Sequence, residues 1–318
     1  MSEAALDGPR AGSRRWALYV LLLGLIGLVW GGTVTLAQIA VSTGTPPLAM
    51  TVWELLYGTA MLLVAAAATG RWPPVSRFWL IVYAGVAVFG TVLPNLFSYW
   101  AAFHLTGGLM ALILSAIPMV TFAFAVALGM DAFSPGRVAG VLLGAAGIAA
   151  LVLPDLVLGE GVLPDSAKAV FVLVALVPSI SYAVEANFVA RLVPAEADAV
   201  SLLFGSVVVG LLIAAPAAAA MGLWNDRAAP WNFAMWGRAE WALIGLTVGH
   251  VVAYSGYLWV LGRAGAVFSS QVSYVVTFSG VVLSIVFLGE ENSIWLWIAF
   301  ALLMAGVTLV RPRGHASA

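Results

Sequence analysis

Residues 49–66 read AMTVWELLYGTAMLLVAA, an apolar run with a carboxylic acid, Glu54, in its interior. Glu185 in VPSISYAVEANFVAR (177–191) and His250 in a later segment occupy comparable positions. An ionisable group at membrane depth is costly, so such groups usually face a water-filled path or a polar partner. The run therefore reads as one helix of a bundle with a polar cavity inside it.

Composition supports a bundle in lipid. Of the 318 residues, 63% are hydrophobic and only 8% charged, and the mean hydropathy is +1.06. A soluble domain carries about 25% charged residues, so this chain could not cover its surface with polar groups. Its 33 glycines suit close helix–helix contacts. A net charge of −1 gives no support for a nucleic-acid partner. The absence of cysteine excludes disulfides, thiol catalysis and thiolate metal sites. Histidines at 104, 250 and 315 have no metal-ligand spacing, and no cofactor motif or P-loop is present.

A spanning helix needs about 20 residues. The apolar runs give ten expected spans: 17–41, 48–69, 78–101, 106–129, 135–154, 166–191, 198–221, 240–262, 265–288 and 293–310. Turn clusters such as GTPP (44–47), GRWPP (70–74) and DAFSPGR (131–137) separate them. The polar opening MSEAALDGPRAGSRR reads as a tail rather than a cleaved signal, because comparable helices follow. With that tail in the cytoplasm, ten arginines (10, 14, 15, 71, 77, 137, 191, 263, 311 and 313) lie on the cytoplasmic side, against Lys168, Arg227 and Arg238 opposite. This bias places both termini inside.

IPMVTFAFAVALGMDAFSPGRVAGVLLGAAGIAAL, from Ile117, resembles VTFSGVVLSIVFLGEENSIWLWIAFALLMAGVTLV, from Val276. Each is a helix, a short acidic turn and a glycine-bearing final helix. The expected organisation is a cytoplasmic tail (1–15), two repeats (16–155 and 156–311) and a second tail (312–318). Five helices per repeat is an odd number, so the repeats have opposite membrane orientations, an arrangement suited to alternating access. The fold class expected is an all-α polytopic membrane protein of ten helices in two inverted five-helix repeats.

TrpGly at 30–31, Pro118 with LeuGlyMet at 128–130, LeuGlyGlu at 288–290 and AlaGly at 305–306 follow one another in order. In that order and spacing the chain resembles the drug/metabolite transporter superfamily, in its ten-helix EamA-type branch, from about residue 17 to 310. The resemblance implies movement of small organic metabolites, often amino acids, their analogues or amphipathic drugs, with many exporters and some importers. It also implies a cavity between the halves, with the fifth and tenth helices more peripheral. Two departures stand out. Glu54 occupies a place early in helix two where the family commonly has arginine, and Met130 stands where it often has glutamate. The first reverses the sign of a membrane-depth charge and weakens any transfer of substrate; the second alters a turn.

Candidate cavity residues come from helical spacing. Glu54, Tyr57 and Met61 share a face; the carboxyl could attract an ammonium group or exchange a proton. Tyr182 and Glu185 share another, beside Pro178, whose missing donor frees a carbonyl. His250, Tyr254 and Tyr257 form a polar-aromatic stripe, and histidine can relay protons. Gln271, Tyr274 and Phe278 fall at i, i+3 and i+7, Asn95 and Tyr99 at i and i+4, and Trp30 and Thr33 at i and i+3. The competing account for every one of these is interhelical packing, and for Glu185 an ion pair with Arg191. Glu54, His250 and Glu185 are the proton-coupling candidates.

The function expected is a secondary transporter of a small amphipathic metabolite such as an amino acid or amine, exporting by alternating access in a bacterial inner membrane. Partners would be membrane lipids, the solute and coupling protons, with the chain acting as a monomer. An importer or facilitator is the alternative reading. A membrane enzyme is the different-class alternative, for which no catalytic set is apparent.

Overall fold

A computed structural model of the protein describes residues 9–158, 169–223, 236–291 and 293–309. These residues hold ten successive helical segments. The first five are Pro9–Ala40 (α1), Pro47–Thr69 (α2), Arg77–Ala102 (α3), Gly107–Ala127 (α4) and Pro135–Leu158 (α5). Then come Ala169–Leu192 (α6), Ala199–Ala220 (α7), Arg238–Ala264 (α8), Ala266–Leu288 (α9) and Ile294–Leu309 (α10). Lys168, Asp226, Arg227, Arg311 and Arg313, used above for orientation, lie outside the described residues.

Eight of the segments, all but α5 and α10, are long and apolar enough to cross a membrane. Within the described residues the apolar helices of these two are shorter, Pro135–Leu151 and Ile294–Gly306. Pro154 and Asp155 interrupt the apolar run of α5, and α10 begins only after Glu290 and Glu291. The pair packs side by side. A Cβ on Gly306 would come within 2.6 Å of the Gly140 carbonyl oxygen, so only glycine permits this backbone approach. The protein is an all-α, multi-pass membrane protein.

Helix ends follow local rules. Ser76, Thr106 and Asp198 sit at N-cap positions, each side chain accepting an amide three residues on, at 3.3, 3.3 and 2.8 Å. Each such cap contributes about 1 kcal/mol. Gly70 ends α2 at a φ of +69°, a conformation that disfavours any residue with a Cβ. Arg71 then meets Asp198 at 3.3 Å, joining the end of α2 to the start of α7.

Around the centre, α1 runs between α8 and α9, α6 packs on α3 and α4, α2 on α7, and α4 on α9. The α1–α9 contact depends on Gly31, where a Cβ would collide with the Ser279 hydroxyl. Outward-facing side chains such as Val64, Leu212 and Val286, each about two-thirds exposed, form the face that acyl chains cover. Three segments are irregular at depth. Helix α4 breaks at Ser115–Ala116 and α9 at Ser270–Gln271, and α3 widens into a π-helical turn over Ala87–Val92. Pro94 explains the last: it lacks the amide that would bond the Gly90 carbonyl, and its ring crowds that carbonyl.

Candidate functional site

Helix α2 carries Glu54 inward, leaving it 5% exposed. Its Oε2 accepts two hydrogen bonds from α3, from Asn95 Nδ2 at 2.8 Å and from the Tyr99 hydroxyl at 2.6 Å. The two donors lie four residues apart, one helical turn, so a single face of α3 holds one carboxylate oxygen. The other oxygen, Oε1, meets Nδ1 of His250 from α8. On the far side of the ring, His250 Nε2 lies 3.1 Å from the Thr33 hydroxyl of α1. Four helices thus converge on one acid.

The hydrogen-bond inventory counts the protons in this chain. The Thr33 hydroxyl donates to the Trp30 carbonyl at 2.6 Å. Its oxygen therefore accepts from His250, which assigns a proton to Nε2. A single further proton then lies between Nδ1 and Oε1. The pair is an imidazolium with a carboxylate or an imidazole with a carboxylic acid, with the same total charge. A small displacement of the ring could open this pair to an ammonium group or to water.

Two chambers flank it. The larger encloses about 780 Å³ of atom-free space including its mouth, within the range of small-molecule sites. Ser98, Met110, Leu114, Ser270 and Ser273 line it, with Trp30, Thr33, Asn95, Tyr99, Tyr182, His250 and Tyr257. The smaller, of about 410 Å³, holds Glu54, Gly58, Gly90, Thr91, Thr247 and Tyr254. Trp30, Asn95, Tyr182 and His250 belong to both walls and form the partition. The Trp30 indole is the hub, with ring centroids of Tyr257, Tyr254, Tyr182 and His250 at 5.5, 5.7, 5.9 and 6.2 Å. Such an aromatic wall suits a solute with an apolar body and a cationic head.

The profile of the EamA-like transporter family matches twice in tandem, over residues 16–153 and 170–311. The chain belongs to the EamA-like transporter family. A solved structure described only as a crystal structure of a protein shares the fold, with a TM-score of 0.59 and 22% identity over 91% of this chain and 94% of that one. No curated protein matches at a significant level.

In this EamA-family chain the structure gathers Trp30, Thr33, Glu54, Asn95, Tyr99, Tyr182, His250, Tyr254 and Tyr257 around the partition. Other expected residues lie elsewhere. Tyr57 packs between Trp53 and Trp236, at 6.3 and 6.1 Å, away from both chamber walls. Phe278 points outward, 60% exposed, and does not share a cavity face with Gln271 and Tyr274. The i, i+7 reading assumed one continuous helix, whereas α9 turns at Ser270–Gln271 and restarts at Val272. Gln271 bonds back to the Val267 carbonyl at 3.1 Å, and Tyr274 packs against the apolar core. Glu185 makes no ion pair with Arg191, which is exposed in the last turn of α6. Sequence reasoning missed Gly90, Ser98, Thr247 and Ser273. Gly90 had a readable signal, its place four residues before Pro94.

Proposed function

We propose that this EamA-family protein is a secondary transporter of a small organic metabolite bearing an amino or ammonium group, working by alternating access as a proton-coupled exporter. The observation that carries this reading is the Glu54–His250 pair, set in the partition between two chambers and tied to α1, α3 and α8. A solute ammonium would displace the imidazole from the Glu54 carboxyl, and arrival of that charge favours departure of a proton from the partition, which is the requirement for exchange. The aromatic partition would hold the apolar part of the solute.

The two halves are read as inverted repeats. Advancing each helix number by five turns the α1 contacts with α8 and α9 into the α6 contacts with α3 and α4. The pairings α2–α7, α4–α9 and α5–α10 map onto themselves. Each tandem family match covers five helical segments, and an odd number of crossings would reverse orientation from one match to the next. The broken helices α4 and α9 are counterparts, and backbone breaks at depth are tolerated where they line a cavity. Both termini would be cytoplasmic, in a bacterial inner membrane, with one chain enclosing the path.

The test uses purified protein in sealed liposomes and a panel of amino acids, amines, betaines and aromatic metabolites, with and without a pH gradient. Flux of a cationic or zwitterionic member, accelerated by a gradient, is expected. Flux indifferent to the gradient would replace coupling by facilitated diffusion. Product formation or binding without flux would replace transport by an enzymatic or receptor role.

A further inference from the structure

Glu185 takes no part in the hydrogen-bonded chain of Glu54. It sits in α6 with no exposed surface, and neither carboxyl oxygen reaches a close hydrogen-bond partner among the described residues. Its electrostatic neighbour is the Tyr254 hydroxyl of α8, which likewise lacks a close partner among them. The two meet at Gly90 in the π-helical turn of α3. A Cβ there would collide with the Tyr254 hydroxyl and stand 3.1 Å from Glu185 Cγ. Fully buried polar groups are nearly always closely bonded, so an acid and a phenol that reach only each other, in a long hydrogen bond, call for a functional explanation.

The surroundings narrow the explanation. The titratable groups facing this cluster are Tyr254 and Tyr257 of α8 and Tyr182 of α6 itself. Glu54 and His250 line the smaller chamber with Tyr182 and Tyr254, and Glu54 acts on Tyr182. No lysine, arginine or histidine among the described residues pairs with Glu185. On the α5 side Arg137 is engaged by Asp131 at 2.6 Å. A hard metal ion collects about six oxygen ligands, whereas here a carboxyl and one phenol converge. The cargo this site can hold is a proton.

We infer that Glu185 is a separate proton site, which takes up one proton as its carboxylate becomes the carboxylic acid and returns it in each cycle, leaving Glu54 to hold the solute. This rests on the transport reading above and assigns the coupling step within it. Sealed as it is, Glu185 can exchange with water only when Tyr254 moves. The Tyr254 ring packs on Trp30 at 5.7 Å and on Tyr257 at 6.1 Å. A solute displacing Trp30 would therefore displace Tyr254 and open the acid to the smaller chamber. Gly90 supplies the clearance that lets the hydroxyl reach this place.

The experiment needs no known solute. Infrared difference spectra of the lipid-reconstituted protein, titrated with pH in H2O and D2O, report protonated carboxyl groups directly. The wild type should show a deuterium-sensitive carboxyl stretch that Glu185→Gln abolishes and Glu54→Gln retains, while Tyr254→Phe shifts its frequency without removing it. Because the chain has no cysteine, Ser98→Cys in the larger chamber gives a single maleimide target. Its labelling rate relative to a free thiol at the same pH should change several-fold with pH, and Glu185→Gln should make that ratio pH-independent. Should Glu185→Gln fail to fold, Glu185→Asp must retain a carboxyl band at altered frequency. A band or a pH-dependent labelling rate unchanged by Glu185→Gln, or a band unaltered in Glu185→Asp, overturns the proton site. Solute flux with that result leaves transport standing; the expected spectra without flux of any solute keep the proton site and remove transport.

Discussion

Glu54 on α2 and His250 on α8 share one proton-bearing contact, and Thr33 on α1 selects the ring nitrogen that enters it. Three helices therefore meet through a single imidazole. Glu54→Gln keeps the shape, and its amide oxygen can still accept from Asn95 and Tyr99, but it carries no charge to hold a solute ammonium. Its stability should fall by only about 1–2 kcal/mol, the range of an altered hydrogen bond. Flux or its pH response should fall at least about tenfold, equivalent to about 1.4 kcal/mol. Glu54→Ala strands the imidazole and two donors, Asn95 and Tyr99, and should cost about 3–5 kcal/mol in unfolding experiments. Unaltered flux, affinity and pH response in Glu54→Gln would remove Glu54 from the site.

Thr33→Val is close to isosteric and deletes the oxygen that accepts from His250 Nε2. A buried donor left without a partner costs about 1–3 kcal/mol, and the ring is freed to rotate. The expected outcome is a lower melting temperature with a displaced pH profile of transport, and Thr33→Ser should restore both. A Thr33→Val protein with wild-type stability and pH profile would show that the ring is held by the partition alone.

The polar members of the site were legible because each breaks an apolar run: Glu54, Asn95, Tyr99 and His250 are conspicuous in one dimension. Their contacts were not. The Glu54–His250 pair joins α2 to α8, and no local periodicity reports a contact between helices so far apart in sequence. Phe278 shows the opposite failure: it lies one turn beyond Tyr274 in the unbroken stretch Val272–Leu288 yet faces outward, because spacing gives a shared stripe and not which side of the helix meets the cavity. Tyr57 failed for another reason: one face of α2 is wide enough to hold both Glu54 and a tyrosine that packs on Trp53 and Trp236. The bundle itself was plain from hydropathy.

Glu290 of the LeuGlyGlu turn grips the start of α4. The Gly107 amide donates to Oε1 at 2.7 Å and the Gly108 amide to Oε2 at 2.9 Å. Gln38 of α1 holds the preceding Leu105 carbonyl at 2.8 Å. A carboxylate on a helix N-terminus is also favoured by the helix dipole. At the counterpart turn Met130 offers no carboxylate, and the start of α9 at Gly265 has no side-chain cap. Among the described residues the start of α4 is thus latched by a side chain to its backbone, and the start of α9 is not. Glu290→Gln, with one acceptor oxygen in place of two, should weaken the latch by about 1–2 kcal/mol. Labelling of Leu105→Cys, buried beside the latch, should rise several-fold in that background. An unchanged labelling rate would mean that the helix packing alone closes this end.

Pro94 sets the width of α3 beside the acids. Pro94→Ala returns an amide to the Gly90 carbonyl and permits the π-helical turn to close into a regular helix. Removing a helix-interior proline is worth up to about 3 kcal/mol where the helix can relax, so the variant should melt at a higher temperature. Closing a π turn removes one residue from the bulge and rotates the following segment by about 100°. Asn95 and Tyr99 would then turn away from Glu54 and lose their hydrogen bonds to Oε2. The expected result is a protein more stable to heat but with transport reduced at least about tenfold. Gly90→Ala should act differently, driving a methyl group into the Tyr254 hydroxyl, and lower stability and transport together. Pro94→Ala with intact transport would show that α3 holds its irregular turn for another reason, the close seat of Tyr254 on Gly90 being the first to test.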